Sequence, residues 1–375
     1  VMRGIVYGDD AIITANTNDP EWDSSYIDVT PTGFKIQTNS GVANENGSSY
    51  VYLAMRKSDG YVGKPPEAAT DVFAIDTGDG NSTIPNFDSG FPVDFALQRP
   101  HSMGYTGAFA RLMGHHVLYT ATTGAEQDES SDQSEFDSNI GWGASSDFQT
   151  SSTESYMWKR GSSFDMVTYV GNSTGDYSGM SQVIPHNLGK VPEMIWCKTR
   201  DASGYWGVYH KGLNGGTNPE NYRMLLNDTH AESAASGSYT NWYWNNTAPT
   251  ATHFSVGEVP NVNDQNHDLI ALLFASVEGI SKVGSYTGNG STGQTITLGF
   301  QPRFVIIRRV NTTAHWLVLD TKRGWGAGDD KYLLLNATNG QGDYEVGAPV
   351  SNGFTLVGDN DYNNSSGAYI YYAHA

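Results

Sequence analysis

One stretch of this chain is written more than once. Tyr286 to Arg309 reads Tyr-Thr-Gly-Asn-Gly-Ser-Thr-Gly-Gln-Thr-Ile-Thr-Leu-Gly-Phe-Gln-Pro-Arg-Phe-Val-Ile-Ile-Arg-Arg. An earlier copy opens at Tyr169-Val170-Gly171-Asn172, passes through Asn187-Leu188-Gly189-Lys190-Val191-Pro192 and ends on Met194-Ile195-Trp196-Cys197-Lys198-Thr199-Arg200. Pro192 to Pro302 and Trp206 to Trp316 are both 110 residues apart. A repeat that long is the size of a domain, so the expected architecture is a row of beads rather than the turns of a solenoid.

The copies can be followed to their ends. Leu225-Leu226-Asn227 answers Leu334-Leu335-Asn336, and the closing patterns Leu269 to Phe274 and Tyr369 to Ala373 answer each other. A looser copy lies upstream, with Phe91 to Arg99 as its Pro-then-strand segment and Leu118-Tyr119-Thr120-Ala121-Thr122-Thr123-Gly124 resembling the segment from Leu335 to Gly340. The expected divisions are residues 1–60 as the closing half of another repeat, 61–70 as a linker containing Pro65-Pro66, 71–164 as a divergent unit one, 165–279 as unit two and 280–375 as unit three. Paired prolines resist strand pairing and favour extended backbone. Starting inside a repeat, at Val1-Met2-Arg3, is what a cleaved chain or a piece of a longer one would show.

Periodicity is nearly all of period two, with Gly, Asn, Ser and Asp at the joints, and no sustained helical stripe occurs. The 43 glycines and 22 tyrosines among 375 residues fit short strands joined by tight turns. The fold class expected is therefore all-β, as tandem antiparallel β-sandwich (jelly-roll or lectin-like) domains of about 100 residues. Tyr50 to Arg56 reads as a strand with two apolar faces, and Asn241 to Thr247, with Trp242, Tyr243 and Trp244, reads as another. Arg99, Arg200 and Arg308-Arg309 end the central strands and are read at one register, where a shared structural role is expected.

A formal charge of −19 excludes a surface that binds nucleic acid through its phosphates. A single cysteine, Cys197, excludes an intrachain disulfide and a cysteine-based zinc site, and its place in a central strand makes a buried, inert thiol the expectation. The apolar runs are strand-sized, so no membrane-spanning helix is expected. The acidic loop Glu126 to Asp137 is read as solvated, with calcium as the sharper alternative, since clustered oxygens suit a hard cation. No cofactor is otherwise implied.

Chemistry is sparse. His115 and His116 are adjacent and would point to opposite faces of a strand. His210, His230, His253 and His267 have unit-three counterparts that are Asp320, Gly340 or absent. No nucleophile elbow, zinc helix or phosphate loop is present, and no enzyme is expected. Trp206, Trp242, Trp244 and Trp316 are candidate platforms for stacking sugar rings, and equally candidates for the core.

The segments Phe164 to Asn172, His186 to Pro192, Tyr243 to Thr250 and Tyr286 to Gly290 together resemble a repeated domain of uncharacterised function found in structural proteins of marine tailed phages and cyanophages. That resemblance extends over most of the chain, but unit one lacks the Tyr-Trp-Asn-Asn segment. It implies a virion surface protein, such as a tail fibre, adhesin or head fibre, with other virion proteins and host surface glycans or proteins as partners and a homo-oligomeric state, trimeric for example. An array of carbohydrate-binding modules and a ligand-free decorating protein are the alternatives. It carries no catalytic residues with it.

Overall fold

The computed structural model describes residues 68–375 apart from 79, 81–84, 130–135, 144–150, 176–179, 235–241, 327 and 359, and, before 68, residues 2–3, 10–12, 17–20, 22–24, 26–30, 33–36, 41 and 43–52. The chain is all-β and antiparallel, with two-layer β-sandwich character. Its frame is three six-stranded sheets, one each within residues 73–158, 164–274 and 281–374. Helical elements among the described residues are short, the longest spanning four residues, as at Leu213–Gly216 and Pro260–Asn263.

The three sheets share one strand order. Sheet one takes Phe73–Thr77, Phe95–Pro100, Gly107–Ala110, His116–Tyr119, Gln127–Asp128 and Thr153–Trp158 in chain order. Across the sheet, the last strand lies between the first and the second, and the third, fourth and fifth follow outward. Sheet two repeats this with Phe164–Val170, Met194–Thr199, Gly207–His210, Tyr222–Leu225, Ser233–Ala234 and Asp268–Phe274. Sheet three repeats it with Ser281–Gly288, Phe304–Arg309, Leu317–Asp320, Lys331–Leu334, Gly342–Asp343 and Gly367–His374.

Each large sheet is buried on both faces. Its outer face packs on a small sheet: Phe87–Asp88 with Gly141–Trp142, Gln182–Pro185 with His253–Val256, and Thr295–Thr297 with Gly353–Thr355 and Pro349–Val350. Its inner face joins a core common to all three, containing Phe95, Leu97, Tyr156 and Trp158 from sheet one, Trp196, Trp206 and Phe274 from sheet two, and Phe304, Trp316 and Tyr372 from sheet three. The three units therefore share one core, their large sheets burying their inner faces on one another. Strand Met194–Thr199, buried at all six positions, cannot show the in-out alternation of a half-exposed strand.

The restated Tyr-x-Gly-Asn motif has a local cause. The Tyr169 hydroxyl donates to the Val262 carbonyl and Tyr286 to that of Asn363, each at 2.7 Å, tying the first strand to the loop before the last. Asn263 and Asn364 then accept the backbone N–H groups of Asn172 and Asn289, at 3.0 and 3.1 Å. The backbones come so close that a Cβ on Gly171 would sit 1.9 Å from the Asp264 carbonyl oxygen, and one on Gly288 would sit 2.3 Å from that of Ser365.

Two strand expectations are corrected. Tyr50, Val51 and Tyr52 are exposed and irregular; Tyr50 instead closes a local loop, accepting from the Glu45 N–H and donating to the Gly41 carbonyl. Residues 53–56 of that segment and 61–67 of the expected linker lie outside the described residues. The Tyr243-Trp244-Asn245-Asn246 segment is a turn, not a strand: Asn245 and Asn246 both take positive φ, 52° and 46°, which Asn tolerates better than most residues.

Candidate functional site

The three sheets hold one another in a cycle, and the repeated residues do the holding. The backbone N–H of Gly204 donates to the Thr123 carbonyl, that of Ala314 to Thr229, and that of Gly104 to Thr338, at 2.8, 2.9 and 3.0 Å. A second set joins Glu126 to the Arg200 carbonyl, Glu232 to Val310 and Gln341 to His101, at 2.6, 2.7 and 2.7 Å. Sheet two therefore grips sheet one, three grips two, and one grips three, so the ring closes.

The indoles at the 110-residue spacing sit in these junctions. Trp206 Nε1 donates to the Tyr119 carbonyl at 3.1 Å, and Trp316 Nε1 to the Leu225 carbonyl at 3.0 Å, each ring 1% exposed. Trp244 is buried in the core between sheet two and its small partner. Trp242 is half-buried, with the Arg223 guanidinium 5.2 Å above its ring and the Tyr243 ring edge-on at 5.0 Å. Sugar stacking on Trp206, Trp244 and Trp316 is overturned, because buried rings offer no face to a ligand, and Trp242 already carries a cation on its ring.

Strand pairing also corrects the basic register. Gln98 faces Gly107, Cys197 faces Gly207 and Ile307 faces Leu317, so the residues that correspond are Arg99, Lys198 and Arg308. Arg99 and Arg308 cross to the neighbouring sheet, Arg99 donating to the Ala337 carbonyl at 2.9 Å and to that of Asn339, and Arg308 to that of His230 at 2.7 Å. Lys198 is too short to cross and donates to the Thr199 and Ala202 carbonyls of its own sheet. Burial pushes Arg99 and Arg308 down to about 10 and Lys198 down to about 8. Arg200, two residues further on, crosses instead by a bidentate pair with Glu126 at 2.8 and 3.1 Å.

Other singled-out residues are structural too. Cys197 is buried in its strand, and burial pushes its thiol up to about 12. His210 is buried; its Nδ1 accepts the Gly212 N–H, so Nε2 carries the proton and donates to the Tyr371 carbonyl, and burial lowers its pKa to about 4. Of the acidic loop, Glu126 is engaged by Arg200, and residues 130–135 lie outside the described residues. Among the described residues, no three His, Cys, Asp or Glu side chains gather as metal ligands would.

What the ring does create is an open cup of about 660 Å³ at the end where the repeated loops converge. Sheet one contributes Tyr105 and Ala121 to Thr123, sheet two Tyr205, Asn227 and Asp228, and sheet three Asn336 to Asn339. Tyr105 and Tyr205 are 46% and 44% exposed, the Tyr105 ring resting 5.3 Å from that of Tyr119. Asn227 and Asn336 are fixed by accepting the backbone N–H groups of Trp206 and Trp316, at 2.9 and 3.0 Å. Asn336 also donates to the Asp228 carbonyl at 3.1 Å. Burial opposes the charged form of Asp228, but hydrogen bonds from His230 and the Thr229 N–H outweigh it and hold the carboxyl below its ordinary range. These lining residues were not singled out in the sequence as a site. Their signal is the repeat itself: Leu118 to Gly124 and Leu335 to Gly340 share the Leu, Ala-Thr and Gly positions while the first is one residue longer and the remaining side chains differ.

No curated protein and no solved structure matches the chain. A family model described as a domain of unknown function (DUF7483) matches residues 141–375, which contain the last strand of sheet one and the whole of sheets two and three. With more than half its length inside that match, the chain belongs to the DUF7483 family.

Proposed function

We propose that this chain is a structural protein of a virion surface, of tail-fibre, adhesin or head-fibre type, built to present loops rather than to catalyse. Each large sheet with its small partner is one restated β-sandwich of about 100 residues, of jelly-roll or lectin-like kind. The observation that carries the reading is that the restated residues act in architecture: Trp206 and Trp316 lock sheet to sheet, Arg200 and Arg308 cross the same two junctions, and Arg99 crosses the third. Such a body is stiff and displays its variable loops at one end. The resemblance to phage structural proteins, carried by Tyr169 to Asn172 and Tyr286 to Gly290, supports the same reading. Other virion proteins are its expected partners, and a homo-oligomer, trimeric for example, its expected state.

Immunogold labelling of intact particles from cells carrying the gene tests this, with an antibody raised against the chain. Label at the tail or capsid surface is the expected outcome. Particles that label for a capsid control but not for this chain overturn it.

A further inference from the structure

We propose that the cup at the closed end of the ring binds a neutral saccharide, with Tyr105 and Tyr205 as ring platforms and Asn227, Asn339, Thr123 and Thr338 as hydrogen-bonding partners. The inference rests on the cup alone and holds wherever the protein resides.

Volume comes first. About 660 Å³ falls inside the roughly 300–1,000 Å³ range of small-ligand sites. The cup is open, which suits one end of a glycan chain better than a ligand that must be enclosed.

Lining chemistry narrows the class. A sugar ring presents an apolar C–H face beside a fringe of hydroxyls, so it needs an exposed flat ring next to amides and hydroxyls. The cup sets two half-exposed tyrosines beside three asparagines and several threonines. Among the described residues, the hydroxyls of Tyr105 and Tyr205 make no hydrogen bond, and the side-chain amide N–H groups of Asn227 are likewise unused. The lining holds no Lys or Arg, and its one charged group is the Asp228 carboxylate, held ionised by His230. A carboxylated or sulfated sugar would meet that charge without a cation to answer it. Neutral sugars are therefore the class selected.

Preorganisation supplies the last element. The carbonyls of Thr123, Thr229 and Thr338 accept the ring-closing bonds, so the loops are fixed before a ligand arrives. A site whose groups are already held loses less entropy on binding. The frame is restated while the lining is not: Asn227 and Asn336 keep one role, but Asp228 of sheet two is followed in sheet three by Ala337. One cup assembled from three differing loops is a single asymmetric site, not three equal ones.

The test is an array of neutral and anionic glycans probed with the whole chain, followed by saturation-transfer NMR on the bound sugar at about 1 mM, where weak sugar contacts are populated. Tyr205→Ala, Asn339→Ala and the cup-filling Thr123→Trp are compared, with thermal unfolding as a check on folding. Selective binding of a neutral glycan, lost about tenfold or more in Tyr205→Ala and abolished by Thr123→Trp, supports the proposal. No neutral glycan bound, a preference for anionic glycans, or binding that a folded Thr123→Trp leaves intact would each overturn it.

Discussion

The junctions that the chain makes between successive sheets differ from the one that closes the ring. Between sheets two and one, and between three and two, a buried indole donates to a neighbouring carbonyl. At the corresponding place in sheet one stands Thr106, and the junction with sheet three, where Phe73 and Tyr156 pack on Phe304 and Trp158 Nε1 donates to the Tyr372 hydroxyl at 3.1 Å, adds a charged and hydroxyl network to its aromatic contacts. There the Tyr156 hydroxyl donates to Asp320 at 2.8 Å, Asp320 pairs with Arg323 at 2.5 Å, Thr120 donates to the Leu335 carbonyl and Lys322 pairs with Asp76. Apolar contacts are non-directional, whereas a buried charged network accepts few alternative geometries. The two sheets brought together without an adjoining linker are those with the most directional contacts.

Loss of an indole should be the most costly change at a junction. Trp316→Ala should cost about 3–5 kcal/mol in denaturant unfolding, since a fully buried ring is lost and the Leu225 carbonyl loses its donor. Thr106→Ala, at the corresponding position, should cost about 1 kcal/mol, because Thr106 Oγ1 meets only Arg99 at 3.4 Å. Equal losses in the two variants would mean that the junctions are alike after all.

The closing junction should instead be sensitive to charge. Asp320→Ala leaves Arg323, with its side chain 2% exposed, buried without its carboxylate, at a cost of about 3–5 kcal/mol. Replacing both partners by leucine should restore most of that stability, as buried pairs often yield to well-packed apolar residues. A double variant no better than the single one would show that the network acts through Tyr156 rather than through the pair.

This asymmetry was beyond what the sequence could disclose. The repeat was legible because Pro192 and Pro302, and Trp206 and Trp316, keep one spacing, and all-β character followed from period two. Which face Trp206 takes was not legible, because a sheet covered on both sides erases the alternation that marks an outer face, as at Met194–Thr199. Arg200 shares its residue type with Arg99 and Arg308, but strand pairing puts Lys198 at their register, a two-residue offset that residue type alone does not reveal. The cup was hidden for a different reason: its residues lie on loops far apart in the chain, and only ring closure makes neighbours of Thr123, Asn227 and Asn339.

Acid should loosen the inner core before it touches the cup. His210 and His374 are buried, and burial lowers their pKa values to about 4 and about 3. The unfolded chain, with His near 6.5, binds more protons than the folded one below that pH. Stability present above pH 6.5 should therefore fall as pH drops toward about 4 and below. His210→Gln should flatten the upper part of that decline in pH-dependent denaturant melts, and an unchanged slope would place the acid sensitivity elsewhere.

A modest effect is expected at Lys198, which alone of the three residues at the Arg99, Lys198 and Arg308 register does not cross a junction. Lys198 is pushed down to about 8 by burial, whereas an unfolded lysine titrates near 10.4. Between those values the unfolded chain holds the extra proton, so stability should rise as pH climbs from about 8 toward 10.4, and at pH 7 the buried charge is a burden. Lys198→Met keeps the length of the stem and removes the charge, so it should raise the unfolding midpoint at pH 7 modestly and abolish that alkaline rise. Arg308→Met removes a group that reaches across to the His230 carbonyl, and should lower the midpoint instead. If both variants shift the midpoint in the same direction, crossing to the neighbouring sheet is not what distinguishes these two cations.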